Sequence, residues 1–217
     1  MIKVFADYHE NHKEFDCNVN FSIERVGGIK FLRKIRKAQL INEFLKNSKV
    51  KGIIADHWKS LELIKSSIKK YCLIHGKEIN HPKDSSQNKR IIKVLDKVDK
   101  VIANSEYTKD LAISIGINPA KVVVINPGVN PPKELDKKSL DKVESLLKIK
   151  TPRLITVSRF DKRKNHEKIL MALRNLKQIY SNIVYICIGY GEEEKNIKNL
   201  VKELDLETQV IFFKDVG

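Results

Sequence analysis

An α/β fold built on parallel sheets is predicted for this 217-residue chain by three observations. Short runs rich in β-branched and aromatic residues alternate with stretches of helical periodicity from one end to the other, the pattern of βαβ units. A hydrophobic share of 41% is enough for such a fold to bury a core. One segment, NPGVNPPKELDKKSLDKVESLLKIKTP, interrupts the alternation with four prolines, one glycine and many charges, which marks the exit from one sheet and a linker into another.

Two βα arrays in series make a pair of Rossmann-like domains, residues 1–130 and 151–217, with the linker over 131–150. In the first array a strand is expected at Ile2–Ala6. A helix follows near Ile29–Lys46, where Phe31, Leu32, Ile35, Ala38, Ile41 and Leu45 fall on one side and Lys30, Arg33, Lys34, Arg36 and Lys37 elsewhere. This amphipathic cationic helix suits either packing on a sheet with its basic face in water or docking on anionic lipid. Strands at Val50–Asp56 and Tyr71–His75 flank a helix at Ser60–Lys69. Then come a helix at Asn88–Lys97, a strand at Lys100–Asn104, a helix at Ser105–Ile115 with Ser105 as its N-cap, and a strand at Val122–Asn126. The second array reads as a helix at Lys137–Leu147, strands at Arg153–Ser158, Val184–Ile188 and Val210–Phe213, and helices at His166–Tyr180 and Glu192–Leu204.

Composition excludes several classes of function. The longest apolar run, Ile183–Tyr190, is far short of a membrane helix, and the first residues have no signal-peptide pattern, so a cytoplasmic protein is expected. Cys17, Cys72 and Cys187 are odd in number and widely spaced, which suggests neither a disulfide framework nor a zinc site. His9 and His12 near Cys17 lie in a polar, loop-like context, and no metal site is assigned. The net charge of +15 would attract nucleic acid or an anionic membrane surface. The excess is mostly Lys, dispersed along the chain with abundant Ile and Asn, a pattern that a low-GC genome also gives. With no aromatic stacking platform or recognised module, a nucleic-acid partner is disfavoured. There is no G-x-S-x-G elbow, Walker A loop or His-Glu-x-x-His.

The segment richest in chemistry is LITVSRFDKRKNHEKILMAL. A hydrophobic strand ends in Ser158-Arg159, and a basic loop leads to a helix with Asn165 as its expected N-cap. First-turn amides and the positive end of the helix dipole would add to the charges of Arg159, Lys162, Arg163 and Lys164, giving a corner suited to phosphate beyond the carboxyl end of a strand. From charge alone, a solvated basic loop explains the pattern as well.

The V-S-R-F-x-x-R-K-N-H pattern is similar to the strand-loop-helix that opens the C-terminal domain of the retaining GT-B glycosyltransferases of group 1, in which Arg and Lys hold the donor diphosphate. Those positions fall on Arg159 and Lys164, while Ser158 and Asn165 stand where glycines are common. The likeness extends to DKVDKVIANSEYTKDLAISIGINPAKVVVINPGVNP, which resembles the last βαβ unit of the family's N-terminal domain. KKYCLIHGKEINHP resembles the family's strand ending in His-Gly-x-Glu. By that likeness His75 lies near the transferred sugar and acceptor as the catalytic candidate, with Gly76 and Glu78 lining the acceptor side; a His at a strand end also serves as a cap or a partly buried polar residue. YICIGYGEEEKNIKNLVKEL matches the family's strand, Gly-x-Gly and helix, with Ser158, Gly189 and Gly191 lining the nucleotide, although Gly after a strand is more often turn chemistry. The third glycine of a dinucleotide fingerprint is absent, which disfavours NAD.

The resemblance implies transfer of a sugar from a nucleotide-diphosphate sugar to a sugar or lipid-linked acceptor with retention of configuration, a hexosyltransferase of cell-envelope polysaccharide, glycan or glycolipid synthesis. No cofactor is implied, the nucleotide sugar being a substrate, and a peripheral position at the inner face of an anionic membrane is the expectation if the basic helix docks. It also implies that both domains are incomplete. The family's first strand and Gly-Gly loop are missing, Lys214 occupies the glycine of Phe-x-Gly-x-Val, and no Glu-x7-Glu pair occurs in the sequence. A catalytically inactive, nucleotide- or membrane-binding remnant is the alternative that this shortness raises.

Overall fold

The computed structural model describes residues 2–131, 134 and 136–214. Positions 132, 133 and 135 of the expected linker, and Val216 of the Phe-x-Gly-x-Val comparison, lie outside the described residues. The chain divides into two compact units, Met1–Asn130 and Pro131–Gly217.

In the first unit β1 (Lys3–Asp7), α1 (His12–Cys17), β2 (Ser22–Val26) and α2 (Lys30–Asn47) are followed by β3 (Gly52–Ala55) and a 3₁₀ turn at Trp58–Ser60. β4 (Lys69–Ile74), α3 (Ser86–Leu95), β5 (Lys100–Ala103), α4 (Glu106–Ser114), a second 3₁₀ turn at Pro119–Lys121 and β6 (Val122–Val124) complete it. β1 and β2 form a two-stranded sheet, and β3 to β6 form a four-stranded sheet in sequence order. Every pairing is parallel, with Gly52 opposite Lys69, Tyr71 opposite Lys100 and Val101 opposite Val122. Alternate residues Cys72 and Ile74, then Val101 and Ala103, turn to a core completed by Trp58, Ile79, Ile91 and Leu95.

Helix starts follow local chemistry. Ser85 accepts the amide of Asn88 and Ser105 that of Thr108, so α3 and α4 each begin on a serine cap. α2 uses only part of its expected stripe. Ala38 is buried and Ile41 and Leu45 pack on the core, but Phe31 and Leu32 are 70% and 56% exposed. Its basic face is partly tied down, because Arg33 and Lys37 pair with Asp7 and Lys34 pairs with Glu62.

Three local expectations are corrected. Ser60–Lys69 is not a helix: after the 3₁₀ turn the chain makes a further turn and reaches β4 without regular structure. Leu61 and Ile64 are pulled into the core, and Asn42 of α2 bonds both the Leu63 carbonyl and the Lys65 amide, occupying groups that a helix would pair internally. β2 was not expected, since FSIERV is short and half polar; Glu24 pairs with Lys3 and Arg25 with Asp16 of α1, so both charges are satisfied at the sheet. The segment holding His12, read as loop, is the short helix α1.

The second unit contains α5 (Lys137–Leu147), β7 (Arg153–Val157), a 3₁₀ turn at Lys162–Lys164, α6 (His166–Lys177), β8 (Val184–Ile188), α7 (Glu194–Glu203) and β9 (Val210–Phe213). The three strands pair in parallel in sequence order, with Arg153 opposite Val184 and Tyr185 opposite Val210. Leu170 and Leu173 of α6, one helical turn apart, meet Tyr185 and Cys187 of β8 and Ile197 and Val201 of α7 in its core. Parallel pairing puts the carboxyl ends of neighbouring strands side by side, which gathers Ser158 and Gly189 in this unit and Asp56 and His75 in the first. Among the described residues no helix is long and apolar enough to cross a membrane.

Candidate active site

The loop after β7 is locked to the loop after β8. The Ser158 amide donates to the Ile188 carbonyl at 3.0 Å, the Phe160 amide to the Tyr190 carbonyl at 2.9 Å, and the Glu193 amide to the Phe160 carbonyl at 3.0 Å. A Cβ on Gly189 would lie 2.0 Å from the Ser158 carbonyl oxygen, and one on Gly191 would lie 2.3 Å from that of Phe160. The Gly-x-Gly spacing is thus required by backbone packed on backbone, whatever else it contacts.

Phe160, 1% exposed, anchors this loop in the core. The basic residues on either side stand outward: the Arg159 and Arg163 side chains are 74% and 70% exposed, and Lys164 is exposed. Asp161 lies between the two arginines, its Oδ2 at 4.0 Å from Arg159 and 3.8 Å from Arg163. Asn165 precedes α6 as expected but does not cap it through its side chain. It adopts a left-handed conformation with φ of 56°, and its backbone amide instead donates to the Lys162 carbonyl, closing the preceding 3₁₀ turn. That conformation is most accessible to Gly and then Asn, which accounts for Asn where the resembling motif has glycine. The first turn of α6 therefore starts without a side-chain cap, directly behind a loop carrying Arg159, Lys162, Arg163 and Lys164, a setting that favours an anion.

Beneath this loop runs a chain of polar contacts that the sequence reading did not anticipate. His166, 2% exposed, has Nε2 at 3.2 Å from Ser158 Oγ and Nδ1 at 3.0 Å from Tyr185 Oη. Tyr185 in turn donates to Thr156 Oγ1 at 3.0 Å. Burial, with a smaller contribution from Lys164, lowers the His166 pKa against the opposing pull of Asp161, and burial raises that of Tyr185. Both rings are neutral near pH 7.

In the first unit His75 follows β4. Its Nε2 lies 2.8 Å from Oδ1 of Asp56, which follows the neighbouring strand β3. The His75 amide donates to Glu78 Oε1 at 2.6 Å, and Trp58 Nε1 donates to the Glu78 carbonyl at 3.2 Å. Gly76 turns the chain with φ of 101°, and its carbonyl accepts the amides of Ile79 and Asn80. Glu78 thus braces the loop that presents His75, whose side chain is 46% exposed. Burial lowers the pKa of nearby His57.

Ser158, Arg159, Lys164, Gly189 and Gly191 therefore gather at strand ends of the second unit, and His75, Gly76 and Glu78 at a strand end of the first. Asp56 and His166 were missed. Asp56 was discoverable as a carboxylate closing one strand while a His closes the next. His166 carries no such signal, because its partners are fixed by how the loop folds back. No cluster of three or more metal-ligating side chains occurs among the described residues.

The chain belongs to glycosyltransferase family 4: that family's sequence model matches residues 4–133, and the model of glycosyl transferases group 1 matches residues 137–217. It is 28% identical over 130 residues to the Campylobacter jejuni N-acetylgalactosamine-N,N'-diacetylbacillosaminyl-diphospho-undecaprenol 4-alpha-N-acetylgalactosaminyltransferase. That match covers 59% of this chain and 33% of the relative, so the chain matches about a third of the relative's length. Among solved structures it resembles Anabaena Alr3699/HepE in complex with UDP, with a TM-score of 0.73 at 16% identity over 99% of this chain and 69% of that one. A glycosyltransferase from Rickettsia africae gives a TM-score of 0.69 at 18% identity over 99% and 68%. These likenesses establish a GT-B, Rossmann-like fold.

Proposed function

We propose that the chain binds a nucleotide-diphosphate sugar through the loop after β7 and serves its transfer, with retention, to a sugar or lipid-linked acceptor. The observation that carries this reading is the exposed pair Arg159 and Lys164, held on an anchored loop at a strand's carboxyl end ahead of an uncapped helix. An Arg fork and a Lys point charge there would offset the negative charge that grows on the diphosphate as the glycosidic bond breaks. Ser158, Gly189 and Gly191 line the nucleotide. In the first unit His75, oriented by Asp56 and braced by Glu78 and Gly76, is the catalytic candidate that meets the acceptor. No cofactor is needed, since the donor is a substrate. The first unit is then the acceptor domain and the second the donor domain.

Solved neighbours in complex with UDP and with UDP-glucose support a uridine donor carrying a hexose. The diphospho-undecaprenol in the name of the Campylobacter jejuni relative supports a lipid-linked acceptor and a place in cell-envelope glycan or glycolipid synthesis. Ile29, Phe31 and Leu32, 73%, 70% and 56% exposed beside Lys30 and Arg36, support a peripheral station on an anionic membrane.

Calorimetric titration with UDP tests the donor site. Arg159→Ala and Lys164→Ala should each weaken binding about tenfold or more, as expected for loss of a charge-assisted contact. A double variant that binds as the parent does would overturn the assignment. The anomeric configuration of a transfer product, read by NMR, tests retention, and binding without transfer would mark the chain as a nucleotide-binding form only.

A further inference from the structure

His166 raises a question of proton direction. A neutral imidazole has one N–H and one bare nitrogen, so it donates to one neighbour and accepts from the other. Both of its nitrogens are engaged, on Tyr185 and on Ser158. Each hydroxyl in the chain also has a single proton. In one arrangement Tyr185 donates to Thr156 and its oxygen accepts from Nδ1–H of His166. Nε2 is then bare, and it accepts the proton of Ser158. In that state the hydroxyl proton of Ser158 points inward and leaves the Arg159 carbonyl, 3.3 Å away, so the half-buried oxygen has only lone pairs to offer a ligand. Lone pairs repel an anion.

The same heavy-atom positions serve the opposite direction equally well. If Nε2 carries the proton, it donates to Ser158 Oγ, Tyr185 donates to Nδ1, and Thr156 donates to Tyr185. The Ser158 proton then turns to the Arg159 carbonyl at 3.3 Å, from which a bound anion can take it. Ser158 passes its proton to Nε2 and takes one from solvent, Nδ1 passes its proton to Tyr185 and Tyr185 to Thr156, and Thr156, itself half-buried, releases its own to solvent, so no net charge moves. Edge-on contact with Phe160, whose ring centroid is 5.0 Å away, holds the imidazole in place while the protons shift.

We infer that His166 is a positioning residue for the donor diphosphate: its tautomer sets the direction of the Thr156–Tyr185–His166–Ser158 chain, and an anion at the loop selects the direction in which Ser158 becomes a donor. This rests on the reading of the β7 loop as the diphosphate site and adds to it a mechanism by which a buried core group reads the bound charge. Arg159 and Lys164 supply attraction from the rim, whereas Ser158 supplies a directed hydrogen bond from the floor.

The test uses the whole chain labelled with ¹⁵N-histidine and long-range ¹H–¹⁵N correlation spectra near pH 7.5, with UDP as the probe and calorimetry to show that it binds. Without ligand, His166 should show a protonated Nδ1 and a bare Nε2; with saturating UDP, the pattern should reverse. Ser158→Ala should remove the reversal and weaken UDP binding several-fold while leaving the fold intact. His166→Gln, which can still donate and accept, should bind UDP within about threefold of the parent, whereas His166→Phe should lose about tenfold. Combining His166→Phe with Ser158→Ala should lose no more than either alone. UDP binding with an unchanged His166 tautomer, or equal affinity in His166→Phe and the parent, would overturn the relay while leaving the diphosphate site standing. Failure of UDP to bind at all would overturn the site, and the relay with it.

Discussion

Alanine at Gly191 would place its Cβ 2.3 Å from the Phe160 carbonyl oxygen, a backbone atom that cannot swing aside. Gly189 is tighter still, at 2.0 Å from the Ser158 carbonyl, and adds a φ of 138° that L side chains rarely adopt. We expect Gly191→Ala to destabilise the chain by about 2–4 kcal/mol through displacement of the β7 loop, measured by urea unfolding followed by circular dichroism. An unfolding midpoint equal to the parent's would show that the two loops separate easily. The sequence marked these glycines through a resemblance, yet G-x-G alone could not say whether they serve a ligand or the backbone, because that depends on which loop lies alongside. Asn165 was legible as the residue before a helix, but its left-handed turn was not, since a capping side chain and a helical reversal both favour Asn. His166 was invisible as a site residue for the same kind of reason: burial of a polar ring is a tertiary fact.

At the scale of elements, Glu62 joins three pieces of the first unit. Its carboxylate bonds Lys34 of α2 and Arg90 of α3, the latter also at 2.7 Å through Nη2, while the Arg90 guanidinium sits 5.5 Å from the ring centre of buried Trp58 in the intervening 3₁₀ turn. Bonding to Arg90 is the main reason its pKa falls from 4.5 to about 2, against a cost from burial, and Lys34 adds to the shift. A carboxylate with a depressed folded-state pKa stabilises the fold above its unfolded value, and that contribution is lost as the pH falls toward the folded value. Stability should therefore drop between about pH 5 and pH 2, and Glu62→Gln should flatten that drop at a cost of about 1–2 kcal/mol at neutral pH, after allowance for the solvent around Arg90. Acid titration monitored by Trp58 fluorescence measures both, and an unchanged profile in the variant would refute the assignment. The interaction also shows why the sequence failed at Ser60–Lys69. Leu61 and Ile64 have helical spacing, but Asn42 on α2 captures the backbone between them, and a partner so distant in sequence leaves no local trace. Long apolar strands such as Val184–Ile188 and serine-capped helices such as the one after Ser105 were legible because their determinants are local.

For the whole molecule, a net charge of +15 overstates what any one surface offers. Arg33, Lys34 and Lys37 are engaged by Asp7 and Glu62, while Lys30 and Arg36 form no ion pair among the described residues. Membrane attraction should then depend on the apolar tip of α2 as well as on charge. Co-sedimentation with phosphatidylglycerol vesicles should exceed that with phosphatidylcholine vesicles, decline as salt rises, and fall several-fold in a Phe31→Ser, Leu32→Ser variant. Equal sedimentation of variant and parent would leave dispersed charge as the sole attraction. The seam between the loops after β7 and β8 has a separate consequence for anyone who would rebuild this chain. Ser158–Phe160 and Ile188–Glu193 share three backbone hydrogen bonds, and at Gly189 and Gly191 they leave no room for a Cβ, so neither loop is an exchangeable module. A chimaera meant to alter donor preference has to transplant both segments from the same parent, because a foreign loop brought in alone would meet a partner cut to a different backbone.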